Sequence, residues 1–269
     1  MNVNRRDFMG TLAAAAGAFA AGCATCGGAR HLRLAWQMWS VNEIWKKDPA
    51  DALVKMRALG YEGVQSMAFW QWDRKELHKL LGDHGMALVD MPIYLSHVAP
   101  DKFNATVEFC KEFDVDFLFV PHFSAKKDDD WRRLADGMVE AARKLAPHGI
   151  KMGFHNHQVE FRTKVGGQSV MDLFFARPEL VFELDVGHAT LAGEDAVGVL
   201  RKIRGRVPSI HAKPGGGLSC GGEGDKNDWA GILSECRAMG TRWAIVECES
   251  RRNTYEDIAA SSKFLGPLV

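Results

Sequence analysis

Four stretches of this chain carry side chains that could do chemistry together. They are His155-Asn156-His157 with Glu160, Glu183-Leu184-Asp185 with His188, His211-Ala212-Lys213, and Glu247-Cys248-Glu249. Neutral imidazole and carboxylate together hold a divalent cation such as Mn²⁺, Co²⁺, Zn²⁺ or Mg²⁺, and His155, Asp185, His211 and Glu247 would be the ligands. A cation held that way polarises a carbonyl oxygen and favours loss of a proton from the neighbouring carbon. That reaction needs a base and an acid. An imidazole such as His157 can titrate near neutrality, Glu160 can do so if desolvated, and Glu247 is a third choice. His188, Lys213 and Asn156 would bind substrate oxygens or a developing oxyanion. Each residue alone has a bland explanation: a histidine in a hydrogen-bonded frame, Asp185 capping a helix, Glu247 as a solvated charge. Their joint occurrence gives the metal reading its weight.

The elements that must position these groups follow from the apolar pattern. Short runs rich in Val, Ile, Leu and Phe fall at 32–39, 62–67, 86–91, 115–120, 150–155, 180–185, 207–212 and 242–247. They mostly lack strict alternation, as parallel strands buried on both faces do. Helical periodicity follows each run. Asp48-Pro49 opens one helix with a cap and a proline at its first position, and Asp73 with Glu76 has capping-box spacing. Leu59-Gly60-Tyr61, His84-Gly85-Met86, His148-Gly149-Ile150 and Met239-Gly240-Thr241 each place a glycine where a helix would end. Eight strand–helix units of roughly 30 residues predict an α/β fold, a (β/α)8 TIM barrel of about 250 residues, with its active site at the C-terminal ends of the strands. The four chemical stretches close the last four runs. A doubly wound sheet is the alternative, but the first run lacks a GxGxxG turn.

Residues 1–30 read as an address, and 31–269 as one catalytic domain. Arg5-Arg6 followed by Phe8 and an uncharged stretch to Ala21 has the shape of an export signal and resembles the bacterial twin-arginine type. The stretch is shorter than the roughly 20 residues that cross a bilayer. Ala20-Ala21-Gly22-Cys23 resembles a lipoprotein box, which would anchor the protein in the membrane through a lipidated Cys23, whereas Ala18-Phe19-Ala20 would release a soluble periplasmic protein. The 269 residues hold 34 basic and 34 acidic side chains, a formal net charge of +0, which gives no footprint for nucleic acid. Six cysteines are too few for a disulfide-built scaffold.

The motifs themselves resemble a known family. His155-Asn156-His157-Gln158-Val159-Glu160-Phe161 is similar to the HNHxxEF signature of the sugar phosphate isomerase/epimerase family, one of the xylose isomerase-like barrels of the AP endonuclease 2 superfamily. Leu184-Asp185-Val186-Gly187-His188 resembles its LDxGH strand end, His211-Ala212-Lys213 its HxK element, and Gly222-Glu223-Gly224-Asp225 with Asp228-Trp229 its GEGxxDW loop. The resemblance implies one divalent metal held from strands five to eight, again at His155, Asp185, His211 and Glu247. Two positions depart from the pattern. His155 stands where the broader barrels carry glutamate, so Glu160 is an alternative ligand, and Gln65 stands where many members have glutamate.

The chemistry implied is isomerisation or epimerisation of a keto-sugar through a metal-stabilised enediolate. Elimination from a 3-keto-glycoside, by a lyase or hydratase, is the alternative on the same site. A non-catalytic sugar-binding lipoprotein is a third, and it would not need Asp185, His211 and Glu247 together. Trp39, with Trp36, Trp70 and Trp72, could offer apolar faces to a small carbohydrate, and Gly215-Gly216-Gly217 could cradle a phosphate.

Overall fold

Apolar runs buried on both faces dictate the architecture. The computed structural model describes residues 32–249 and 254–269. The address expected over residues 1–30, Cys23 included, lies outside them. The strands are β1 Arg33–Gln37, β2 Gly63–Gln65, β3 Ala87–Leu88, β4 Met91–Pro92, β5 Phe117–Val120, β6 Lys151–His155, β7 Lys164–Val165, β8 Gln168–Ser169, β9 Val181–Asp185, β10 Ser209–Ala212 and β11 Trp243–Val246. Strands β2, β9, β10 and β11 are buried along their whole length.

Nine strands form one parallel sheet in the order β3-β2-β1-β11-β10-β9-β6-β5-β4. The two ends of that order are consecutive in the chain. β3 pairs with β2 and β4 with β5, so they are halves of one stave broken at Val89–Asp90. The sheet is therefore an eight-stave parallel barrel, the fold the sequence predicts, and the run at 86–91 is two short segments rather than one strand. β7 and β8 form a separate antiparallel hairpin.

Local chemistry sets the helix ends. Asp48 accepts hydrogen bonds from the backbone N–H of Ala50 and Asp51, ahead of the helix Pro49–Ala58. Asp73 does the same for Lys75 and Glu76. Gly60, Gly85, Gly149 and Gly240 all have φ between +59° and +90°, the left-handed geometry that ends a helix cheaply only at glycine.

The larger apolar core lies between staves and helices. Inside the barrel a small plug of Ala35, Val89, Trp243 and Ile245 fills only part of the space. Gly63 makes room for it: a Cβ there would lie 2.7 Å from Val89 Cγ2 and 3.1 Å from the Trp243 ring. The interior also carries the buried polar side chains Gln65, Asp90, Glu183 and Ser209, with Phe119 and Val181 on the same inward face.

Candidate active site and metal centre

β6 ends at His155, β9 ends at Asp185, and β10 carries His211. The register pairs His155 with Glu183 and His211 with Asp185, which sets the three on adjacent stave ends. One ligand atom from each lies within 4.8 Å of the others, and all three residues are buried. Among the described residues no other group of three such side chains converges in this way.

Asp185 has a divided carboxylate. Its Oδ1 accepts the His188 N–H at 2.7 Å and so caps the helix Val186–Ala192. Its Oδ2 is buried with no hydrogen-bond partner. An orphaned carboxylate oxygen is costly, and burial raises the Asp185 pKa against the pull of Lys213 and His155. A divalent cation would satisfy that oxygen, so two imidazoles and this carboxylate fit one.

Glu247, just past β11, stands beside the cluster. Its Oε2 lies 3.1 Å from His211 Nδ1 and 3.5 Å from Lys213 Nζ. Burial opposes its charge, but the His211 hydrogen bond and the Lys213 ammonium prevail and hold the carboxyl well below its usual range. Burial likewise works against a charged His211, and Glu183 with Glu247 overcomes it, raising the ring well above its ordinary value. Lys213 is buried as well. Glu247, Asp185 and Glu249, the last at 2.5 Å, keep its ammonium charged.

His157 and His188 form the next tier. Their rings are 4.8 Å apart, and His157 is 5.0 Å from His155. Burial, with the neighbouring His155, pushes His157 down to about 3; burial, with Lys213, does the same to His188. Nδ1 of each is buried without a partner. Glu160 lies beneath them, fully buried. Its Oε2 accepts the His157 N–H at 2.7 Å, its Oε1 has no partner, and burial raises its pKa.

Asn156 is corrected by the structure. Expected at the substrate, it is 1% exposed, with Nδ2 donating to Asp185 O at 3.1 Å and Oδ1 accepting from Asp185 N at 2.9 Å. It braces β6 to β9 and so fixes where Asp185 starts its helix. Of the tryptophans, Trp39 is 64% exposed on the turn after β1, whereas Trp36 is wholly buried. Trp70 and Trp72 are half-buried, Trp70 tied to Pro92 O at 3.1 Å. The glycine run offers little to a phosphate at its first amide, because Gly215 N–H donates to Asp225 Oδ1 at 2.7 Å. Asp225 also takes the N–H groups of Gly221 and Asn227 and the Trp229 indole, clasping the loop that follows Lys213.

Reading strand ends alone misses a layer one step deeper. Gln65 donates from Nε2 to Glu183 Oε1 at 2.6 Å and to Asp90 Oδ1, and Ser209 Oγ donates to Asp90 Oδ2 at 2.7 Å. All four side chains are buried. Burial beside Glu183 raises Asp90 well above the usual carboxylate range, while Ser209 and Gln65 pull it the other way. Burial opposes charge on Glu183 too, but His211 and His155 keep it ionised. The signal was available: Glu183 and Ser209 stand two residues before Asp185 and His211, on the same strand face.

A family profile described as xylose isomerase-like TIM barrel matches residues 53–268. Inosose dehydratase 2 of Bacillus cereus is 30% identical over 99 residues, which cover 35% of this chain and 33% of that protein. The chain thus matches only about a third of the length of such curated relatives. A crystal structure of a sugar phosphate isomerase/epimerase from Parabacteroides distasonis ATCC 8503 superposes with a TM-score of 0.71 at 20% identity, covering 91% of this chain and 97% of that one. D-psicose 3-epimerase, crystallised in the presence of D-fructose, gives a TM-score of 0.59 at 16% identity, covering 87% of this chain and 98% of that one. At these identities the structural likeness speaks for the fold.

Proposed function

The chain belongs to the xylose isomerase-like TIM barrel family, and on that premise we propose that it is a divalent-metal-dependent isomerase or epimerase of a small keto-sugar. The observation that carries the reading is the buried His155/Asp185/His211 cluster with its orphaned Asp185 Oδ2, set beside an ionised Glu247. His155, Asp185 and His211 would hold the cation, with Glu247 adjoining. Bound there, it stabilises negative charge on the sugar's carbonyl and neighbouring hydroxyl oxygens.

The chain's own residues supply the remainder. Glu247 is the base that takes the carbon proton, because it stays ionised inside the barrel. Its partner acid is His157 or Glu160. Glu160, whose pKa burial raises, is the better proton donor, and neutral His157 the better hydrogen-bond partner. Lys213 and His188 face the sugar oxygens, and Trp39 offers an apolar face at the rim.

Dehydration is the second reading, favoured by the similarity to an inosose dehydratase. It begins with the same proton abstraction and differs in what leaves next. Proton NMR in D₂O separates the two, using Mg²⁺-loaded protein with ketoses, 3-keto-glucosides and inososes. Deuterium beside the carbonyl with every hydroxyl and glycosidic bond retained supports isomerisation. Release of water or an aglycone with an unsaturated ketone overturns it in favour of elimination.

A further inference from the structure

His155 and His211 stand with ring centroids 4.3 Å apart, and one carboxylate oxygen reaches both. Oε2 of Glu183 lies 3.1 Å from His155 Nδ1 and 3.2 Å from His211 Nε2. Its other oxygen accepts from Gln65 Nε2 at 2.6 Å and faces Ser209 Oγ at 3.4 Å. Glu183 is 1% exposed, so the protein interior takes up the whole carboxylate.

Gln65 decides which nitrogen of His211 carries hydrogen. Its Nε2 faces two carboxylates, those of Asp90 and Glu183, and its Oε1 accepts from Gln37 Nε2 at 2.6 Å. The amide can stand only that way round. His211 Nε2 lies 2.9 Å from this Oε1 and 3.2 Å from Glu183 Oε2. Both are acceptors, so Nε2 is the donor, and Nδ1 is the nitrogen turned towards Glu247. For His155, Glu183 is the neighbour of Nδ1. The 3.1 Å contact lies outside hydrogen-bond geometry, and Nδ1 has no other partner.

We propose that Glu183 is a positioning residue that fixes both imidazoles, His155 as the Nδ1–H form and His211 as the Nε2–H form, so that a divalent cation meets Nε2 of His155 and Nδ1 of His211. This rests on the metal reading given above. It also accounts for His155 standing where a glutamate is expected. That exchange removes a negative charge from the ligand set, and Glu183, paired in register with His155 on the neighbouring stave, returns it one layer beneath. A carboxylate behind a ligating imidazole orients the ring and strengthens it as a donor.

The test is Zn²⁺ titration calorimetry on the full domain as wild type, Glu183→Gln, Glu183→Asp and Ser209→Ala, with ¹⁵N NMR of the histidine rings in the loaded wild type. Glu183→Gln is expected to weaken Zn²⁺ binding roughly 10- to 100-fold. Glu183→Asp recovers part of that loss, and Ser209→Ala, which touches the other carboxylate oxygen, stays within about threefold of wild type. The loaded wild type should show hydrogen on Nδ1 of His155 and on Nε2 of His211. Wild-type affinity in Glu183→Gln, or the opposite tautomers, overturns the proposal. If Glu183→Gln does not fold, the wild-type tautomers decide alone. Wild type that binds no Zn²⁺ overturns the metal reading itself, and that result is visible before any substitution is made.

Discussion

Glu247 is a carboxylate buried between an imidazole and an ammonium, and its ionisation makes it the base of the account. Glu247→Gln keeps the shape and removes the base. It should lower deuterium exchange into substrate by roughly 10²- to 10⁴-fold, and unchanged exchange would assign the proton transfer elsewhere. The two second-tier histidines make a separate pH prediction. His157 and His188 are depressed to about 3 by burial, with His155 and Lys213 as the next contributors. Unfolded, each binds its proton near about 6.5. Between those values these two rings bind more protons in the unfolded chain than in the folded one, so their contribution lowers stability as pH drops from about 6.5 towards about 3 and adds no pH dependence above. In metal-free protein their ring C2 protons should not shift between pH 8 and pH 5. A midpoint near 6.5 for either would contradict the burial argument.

The last four strand ends were legible as elements because each of those apolar runs stops at or beside a ligand-type residue. The reading placed the last four runs to within two residues at their C-terminal ends, and the structure ends them at His155, Asp185, Ala212 and Val246. Composition could not reveal the break in the third stave. Asp90 sits in an apolar stretch, and only the barrel interior supplies the Gln65 and Ser209 that make it tolerable there. The same holds for Glu183, whose partners come from three other staves. Asn156 misled because its type suits either role, and the choice depends on a strand that lies 29 residues further on. Gly187 illustrates how an element is held in place. A Cβ there would lie 2.6 Å from Lys213 O and 2.7 Å from Pro214 O, both backbone atoms that yield little. Gly187→Ala should push the helix carrying His188 away from the loop carrying Lys213. The expected cost is about 1–3 kcal/mol, read as a lower urea midpoint, together with a raised KM. A variant with wild-type stability and KM would mean that the loop moves freely.

At the scale of the whole molecule, apolar side chains and a charged, hydrogen-bonded layer share the barrel interior. A cation that binds only the folded state must therefore stabilise the entire domain. At a concentration a hundredfold above Kd the gain is about 2.7 kcal/mol, which raises Tm by roughly 5–10 °C for a domain of this size. Chelation should reverse it, and a Tm indifferent to metal would count against a site inside the barrel. The most direct test of the metal site is a metal titration of the protein, following Co²⁺ absorption in wild type, Asp185→Asn and His211→Ala. Wild type should saturate at one Co²⁺ per chain, and both variants should lose binding by roughly a hundredfold or more while retaining their circular dichroism. Non-saturable binding in wild type, or full affinity in either folded variant, would contradict the metal site.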